Sequence, residues 1–170
     1  MEISNTVYFS LGSNIGDRLT YIQLALKEIK KKIGLIISCS SVYSTEAVGF
    51  KADTEFLNIC ICCNTFLEPQ EILDEIKYIE NQLGRRRSKS QRYASRTVDI
   101  DIIFYNNLVF ENEKIQIPHR EYQKRLFVLL PLLEISPNQV DPRDNQLILE
   151  ILRTQKLNQS IRKENFVLSY

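Results

Sequence analysis

The sequence predicts an α+β fold of the ferredoxin-like kind, an antiparallel sheet with helices packed on its faces in three α-β-α layers. Three observations predict it. Apolar residues recur at steps of three and four in two separate stretches, residues 19–33 and 72–83. Strand-like runs stand before, between and after those stretches. Turn residues and glycines separate the pieces, which gives the order β-α-β-β-α-β.

The first strand is Thr6 to Leu11, broken by the turn residues from Gly12 to Asp17. Leu19, Ile22, Leu26, Ile29 and Ile33 then share one helical face, and Gly34 stops that helix. Leu35 to Tyr43 reads as the second strand, followed by a polar loop over residues 44–55 that contains Gly49. Phe56 to Phe66 is the third strand. Its alternation sends Leu57, Ile59, Ile61 and Cys63 one way and Phe56, Asn58, Cys60 and Cys62 the other. Pro69 opens the second helix, whose face is Ile72, Leu73, Ile76, Ile79 and Leu83, with Gly84 at its end. A loop from Arg85 to Arg96 leads into the fourth strand, Val98 to Tyr105. After a turn at Asn106-Asn107 come short extended pieces at Val109-Phe110 and Ile115 to Ile117. A helical patch follows from Arg125 to Ile135, interrupted or bent at Pro131, and a short closing helix runs from Leu147 to Leu152.

The bulk properties suit one compact domain. The chain has 170 residues, 44% hydrophobic and 25% charged, enough for a core without disulfides or a structural metal. We expect that domain over residues 1–155, with a mostly polar tail over 156–170 that frays or begins a linker. A net charge of +1 gives no global field for nucleic acid or an anionic membrane. No apolar run reaches the roughly 18 residues of a membrane span. Met1 to Asn5 lack the features of a signal peptide, so a cytoplasmic protein is expected. Cys39, Cys60, Cys62 and Cys63 lack paired zinc spacing and read as reduced core residues.

Asp99 and Asp101 lie two apart on a strand, so both carboxylates leave one face, amid Val98, Ile100, Ile102, Ile103 and Phe104. Two carboxylates beside a core repel each other and lose hydration. A hard divalent cation such as Mg²⁺ removes the conflict, and two ions so held can clamp the oxygens of a phosphoryl transfer. Alone, the pair reads more readily as a solvated or arginine-paired strand than as a metal site. The preceding loop changes that balance. Arg85, Arg86, Arg87, Lys89, Arg92 and Arg96 fall together without an acid, and guanidinium forks fit phosphate oxygens two at a time. His119, the only histidine, can donate to a phosphate oxygen. Phe56 and Asn58 share a strand face, an aromatic stacker beside an amide reader.

These segments together resemble the 6-hydroxymethyl-7,8-dihydropterin pyrophosphokinase family of the folate pathway. The matching pieces are Leu11-Gly12-Ser13-Asn14, Ser41 to Thr45, Phe56-Leu57-Asn58, Ile79-Glu80, Gly84 to Arg87, Arg96 to Ile102, Pro118-His119 and Arg125-Leu126-Phe127. They run in order across about residues 7–153. The resemblance implies transfer of pyrophosphate from ATP to the pterin hydroxymethyl group, with release of AMP. It also implies two Mg²⁺ ions on Asp99 and Asp101, and a catalytic set of Arg85, Arg96, Asp99 and Asp101. Arg85, Arg87, Arg96, His119 and Arg125 would contact ATP phosphates or their surroundings; Leu73, Glu80 and Ile102 would lie near the nucleoside. Tyr93 would join the nucleotide-side loop where relatives often carry tryptophan. Thr45, Val48 and Asn58 would read the pterin edge, with Phe56 and Phe127 sandwiching its ring. Ser95, Glu46 and Phe56 stand where relatives often have proline, proline and tyrosine. The partners implied are the two small molecules, with no nucleic acid and no membrane, and a possible fusion or association with another folate-pathway enzyme. Rival readings are an RNA-binding module, against which the K/R-G-F/Y-G/A-F-V pattern is missing, and a metal-dependent phosphohydrolase.

Overall fold

In the computed structural model, which describes residues 4–47, 54–84, 97–155 and 159–170, the chain forms one mixed α/β unit around an antiparallel sheet. The elements run β1 (Asn5–Ser13), α1 (Arg18–Lys32), β2 (Leu35–Cys39), β3 (Val42–Thr45), β4 (Phe56–Thr65), α2 (Pro69–Gln82), β5 (Asp99–Tyr105), β6 (Phe110–Glu111) and β7 (Gln116–Ile117). A single 3-10 turn (Tyr122–Lys124) then leads to α3 (Leu126–Ile135), α4 (Ile148–Thr154) and β8 (Ile161–Glu164). The main sheet has the order β5-β1-β4-β3-β8, with β2 also paired to β4, and each of these pairings is antiparallel. β6 and β7 form a separate small hairpin. Among the described residues no helix is long and apolar enough to cross a membrane.

The alternation of β4 sorts its residues between two hydrophobic clusters on opposite faces of the sheet. Leu57, Ile59, Ile61 and Cys63 join Val7, Phe9 and Leu11 of β1 against Ile22, Leu26 and Ile29 of α1 and Ile72, Ile76 and Ile79 of α2. Cys60 turns the other way, toward Phe104, Tyr122, Val128, Leu129 and Leu132. The helices form because their apolar residues recur at helical spacing, and their ends are held chemically. Asp17 accepts from the Thr20 backbone N–H at 3.1 Å at the start of α1. At α2, Glu71 reaches back to the Glu68 N–H at 2.8 Å.

Several local readings change. The second strand is two pieces. At the break the Ser40 hydroxyl takes the place of a backbone acceptor, receiving the Cys60 N–H at 3.0 Å. Gly34 ends α1 without a positive φ. It is glycine because a Cβ there would stand 2.1 Å from the Asn64 carbonyl oxygen. α3 runs through Pro131 without a break, although proline lacks the N–H that would bond the carbonyl of Phe127. The tail carries β8, paired along β3 from Val42↔Glu164 to Thr45↔Ile161. The cysteines are free thiols, three of them buried, and burial pushes Cys39 and Cys63 up to about 12.

Candidate active site

The strand registers place the candidate residues of β1, β4 and β5 in rows across one face. Gly12 of β1 pairs with Asn58 on one side and Asp99 on the other; Ser10 pairs with Cys60 and Asp101. In β1 the apolar Val7, Phe9 and Leu11 point into the α1/α2 cluster, so Ser10 and Gly12 lie on the opposite face with both aspartates. Ile100 and Ile102, between and beyond the aspartates, point into the α1/α2 cluster. The shared face of Asp99 and Asp101 is thus enforced by the core. Past Asp101 the pattern shifts. Phe9 pairs with Ile102 but Tyr8 pairs with Phe104, so β5 carries one extra residue, Ile103. That bulge turns both Ile103 and Phe104 into the α3/α4 cluster. Polar chemistry therefore occupies one end of this face and packing the other.

Asp101 is the centre of a small charged group. Its Oδ2 accepts from Arg125 Nη1 at 3.1 Å and lies 3.7 Å from His119 Nε2. Arg125 holds this position as the residue just before α3, and its guanidinium sits 5.8 Å from the Phe127 ring centroid. His119 is fixed by its own backbone, whose N–H bonds the Ile103 carbonyl at 3.0 Å. The Glu121 N–H donates to His119 Nδ1 at 3.1 Å, so the neutral ring carries its proton on Nε2, facing Asp101. Burial lowers the His119 pKa and the Asp101 charge offsets only part of that. Behind the segment, buried Tyr122 donates to Asp141 at 2.5 Å, and Asp141 is in turn held by Arg143.

A cavity of about 290 Å³ runs along the outer edge of β5. Leu73 and Ile76 of α2, Ile100, Asp101 and Ile102 of β5, the β6–β7 hairpin and His119 line it. The structure thus brings together Leu73, Ile102, His119 and Asp101. Glu80 sits apart from that lining. It is buried, and its Oε1 accepts the Ile100 N–H at 3.0 Å, bracing the strand between the two aspartates.

Across β1, on the other side of the same face, Asn58 is buried and donates through Nδ2 to Thr45 Oγ1 at 2.9 Å. Gly12 lies against them: a Cβ there would meet Asn58 Oδ1 at 3.1 Å and Phe56 at 3.7 Å. Thr45, Phe56 and Asn58 therefore form one wall, and Phe127 projects from the N-terminal turn of α3, in the element packed over that face. Val48, Arg85, Arg87, Tyr93 and Arg96 lie outside the described residues, as do the rest of the arginine loop and Gly49. The sequence reading gave Gly12 and Ser10 no place opposite the aspartates, taking Gly12 as a turn residue in a matching piece; it expected the tail to fray or begin a linker and passed over Arg18. Only a long-range register places the first two opposite the aspartates, and no local pattern carries that. Arg18 donates to the Glu55 carbonyl at 2.7 Å, a contact between distant segments.

Known proteins resemble this chain in sequence and in fold. Residues 8–137 match the family model of 7,8-dihydro-6-hydroxymethylpterin-pyrophosphokinase. The chain is 40% identical over 134 residues to the 2-amino-4-hydroxy-6-hydroxymethyldihydropteridine pyrophosphokinase of Bacillus subtilis, covering 78% of this chain and 79% of that one. It is also 40% identical over 134 residues to the bifunctional protein FolKE of Lactococcus lactis, covering 78% of this chain but 38% of the longer protein. The Plasmodium falciparum HPPK-DHPS crystal structure superposes with a TM-score of 0.69 at 18% identity, over 90% of this chain and 45% of that one. This chain spans less than half the length of those last two, in which the matching part belongs to a larger protein. With the family model matched over most of the chain's length and a curated relative at 40% identity, the chain belongs to the 7,8-dihydro-6-hydroxymethylpterin-pyrophosphokinase family.

Proposed function

We infer that the protein transfers pyrophosphate from ATP to 6-hydroxymethyl-7,8-dihydropterin, giving AMP and the pterin diphosphate in folate biosynthesis. The observation that carries this reading is the single row Asn58–Gly12–Asp99, which sets an amide reader and a carboxylate at opposite ends of one open strip of sheet. We read the sheet order, with α1 and α2 on one face and α3 and α4 on the other, as the ferredoxin-like three-layer arrangement. We assign residues 1–155 to the pyrophosphokinase domain, and the tail adds β8 to its sheet.

The acceptor ring lies over Gly12, where the missing side chain leaves room for a flat heterocycle. Asn58 and Thr45 meet its polar edge while Phe56 and Phe127 cover its faces. Val48 joins that edge. The nucleotide lies in the cavity beside β5, with Leu73 and Ile102 against the nucleoside and Glu80 bracing the strand beneath it. Arg85, Arg87, Tyr93 and Arg96 come from the basic loop to the phosphates.

Asp99 and Asp101 fit two Mg²⁺ ions by the chemistry of their donors: hard oxygens on one strand face, with the Asp101 side chain 32% exposed. Among the described residues no cluster of three or more His, Cys, Asp or Glu forms a self-contained metal cage. That suits an ion completed by phosphate oxygens and water. Bound there, the ions supply charge neutralisation for the phosphates and lower the pKa of the attacking hydroxyl.

The chain's own residues do the rest by positioning and electrostatics. Asp101 keeps Arg125 and His119 within reach of the phosphate position. Neutral His119 donates from Nε2 to a phosphate oxygen without adding a buried charge of its own. The attacking oxygen is the acceptor's hydroxymethyl oxygen, the bond broken joins the α-phosphate to the β-phosphate, and AMP leaves. Product analysis tests this directly. Incubation with ATP, Mg²⁺ and the pterin alcohol should yield AMP and pterin diphosphate in equal amounts. Free phosphate without a pterin diphosphate would refute the transferase.

A further inference from the structure

We propose that the C-terminal tail is a positioning element of the active site: it ties the wall that holds the acceptor to the helix start that presents Arg125. This rests on the reading above of Phe56, Thr45 and Arg125.

Three sets of contacts carry the proposal. Gln159 spans Arg125 with both ends of its amide. Its Oε1 accepts the Leu126 N–H at 2.9 Å and its Nε2 donates to the Lys124 carbonyl at 2.9 Å. Leu126 is the first residue of α3, whose opening N–H groups have no partner within the helix, and the residue before it is Arg125, which offers no side-chain cap. Gln159 thus supplies the missing cap from 33 residues away in sequence and fixes the backbone on both sides of the arginine. Two residues later, Ile161 pairs with Thr45, the last residue of β3. Next, Arg162 bonds both carboxylate oxygens of Glu55, at 3.1 and 2.8 Å. Glu55 immediately precedes Phe56, and its carbonyl is already held by Arg18 at 2.7 Å.

The tail therefore grips the two ends of the segment joining β3 to β4, at Thr45 and at Glu55. Within four residues it also grips the base of Arg125. The matched family stretch ends at residue 137, before the tail begins. Further along, Lys163 reaches Glu134 of α3 at 3.1 Å and Glu164 accepts from Ser44 of β3 at 2.5 Å, so the same strand is fastened once more to each of the two elements. Exposed ion pairs alone contribute little. Here a strand ladder and a helix cap pre-order the partners, and the bidentate Arg162–Glu55 fork adds direction.

The test uses the full chain with Gln159→Ala, Arg162→Ala, the double variant, and the conservative Gln159→Glu and Arg162→Lys. Calorimetry with a non-hydrolysable ATP analogue and the pterin measures each affinity, alongside steady-state kcat and KM and a thermal melt. Arg162→Ala should weaken pterin binding about two- to fivefold while the ATP analogue is unaffected. Gln159→Ala should weaken the ATP analogue about three- to tenfold. Gln159→Glu, which keeps the acceptor for Leu126, and Arg162→Lys should each recover part of the loss. Unchanged affinities and kinetic constants, with only a lower melting temperature, would overturn the proposal and leave the tail a structural strand. A wild-type chain that binds neither ligand would instead overturn the site reading and the proposal with it.

Discussion

The two faces of the sheet are built from the same strands and do opposite work. Toward α1 and α2, Val7, Phe9, Leu11, Ile59, Ile61, Ile100 and Ile102 are buried and apolar without interruption. Toward α3 and α4 the face is graded. Phe104 and Tyr122 pack at one end, Ser10 and Cys60 stand in the middle, and Asn58, Gly12 and Asp99 reach the open end. The difference teaches how a small domain keeps two carboxylates beside a core: a period of two residues sends stability one way and chemistry the other.

Substitutions on the two faces should therefore separate turnover from stability. The largest effect expected is from Asp101→Ala or Asp99→Ala, which should lower kcat by about two to three orders of magnitude while the thermal melt barely moves. Near-normal turnover at saturating Mg²⁺ would break the contrast. On the apolar face, Ile59→Ala should cost about 2–5 kcal/mol in denaturant unfolding while leaving the kcat of the folded fraction unchanged. A smaller effect is expected between them. Gly12→Ala puts a methyl 3.1 Å from Asn58 Oδ1 and should raise the KM for the pterin about tenfold, with the KM for ATP little changed. Equal rises in both would mean that the strip does not divide the two substrates.

The smallest effect concerns Glu134, an exposed residue of α3 that bonds β3 and the tail. Burial pushes the Glu134 carboxyl up, but hydrogen bonds from Ser41, Tyr43 and Lys163 outweigh it and leave its pKa below the ordinary value of 4.5. A carboxyl with a lowered folded pKa stabilises above its unfolded value, and that contribution is lost as pH falls through the folded one. Glu134→Gln should therefore melt a few degrees lower at pH 7, and the deficit should shrink below about pH 4.5. A deficit constant with pH would assign the effect to shape rather than charge.

Much of this organisation was legible in the residues. Helical spacing found α1 and α2, and the alternation of Phe56 to Phe66 found both faces of β4. The step of two between Asp99 and Asp101 put them on one face, because strand geometry is local. What stayed hidden is set by contacts far apart in sequence. The break at Ser40 depends on Cys60, and the close approach at Gly34 depends on Asn64. The bulge at Ile103 depends on the register with Tyr8 and Phe9. The tail looked too polar for a strand because its partners are the polar Ser44, Glu55 and Glu134, and two of the four residues of β8 are exposed. Glu80, on the apolar side of α2 yet charged, was placed near the nucleotide by resemblance. Its bond to the Ile100 N–H could not be read from periodicity.

The row Asn58–Gly12–Asp99 also acts as a ruler. Strands in a sheet are spaced by their hydrogen bonds, so two steps across β1 set the ends of the row about 9.5 Å apart. Side-chain substitution can blunt either end of that gauge but cannot change its graduations. On the proposed reading an acceptor is admitted by length as well as by edge chemistry: it presents its amide-like edge at Asn58 and extends its hydroxyl to the carboxylate end. A ring without the hydroxymethyl arm can dock at the first mark and never reach the second. It should occupy the pocket as an inhibitor.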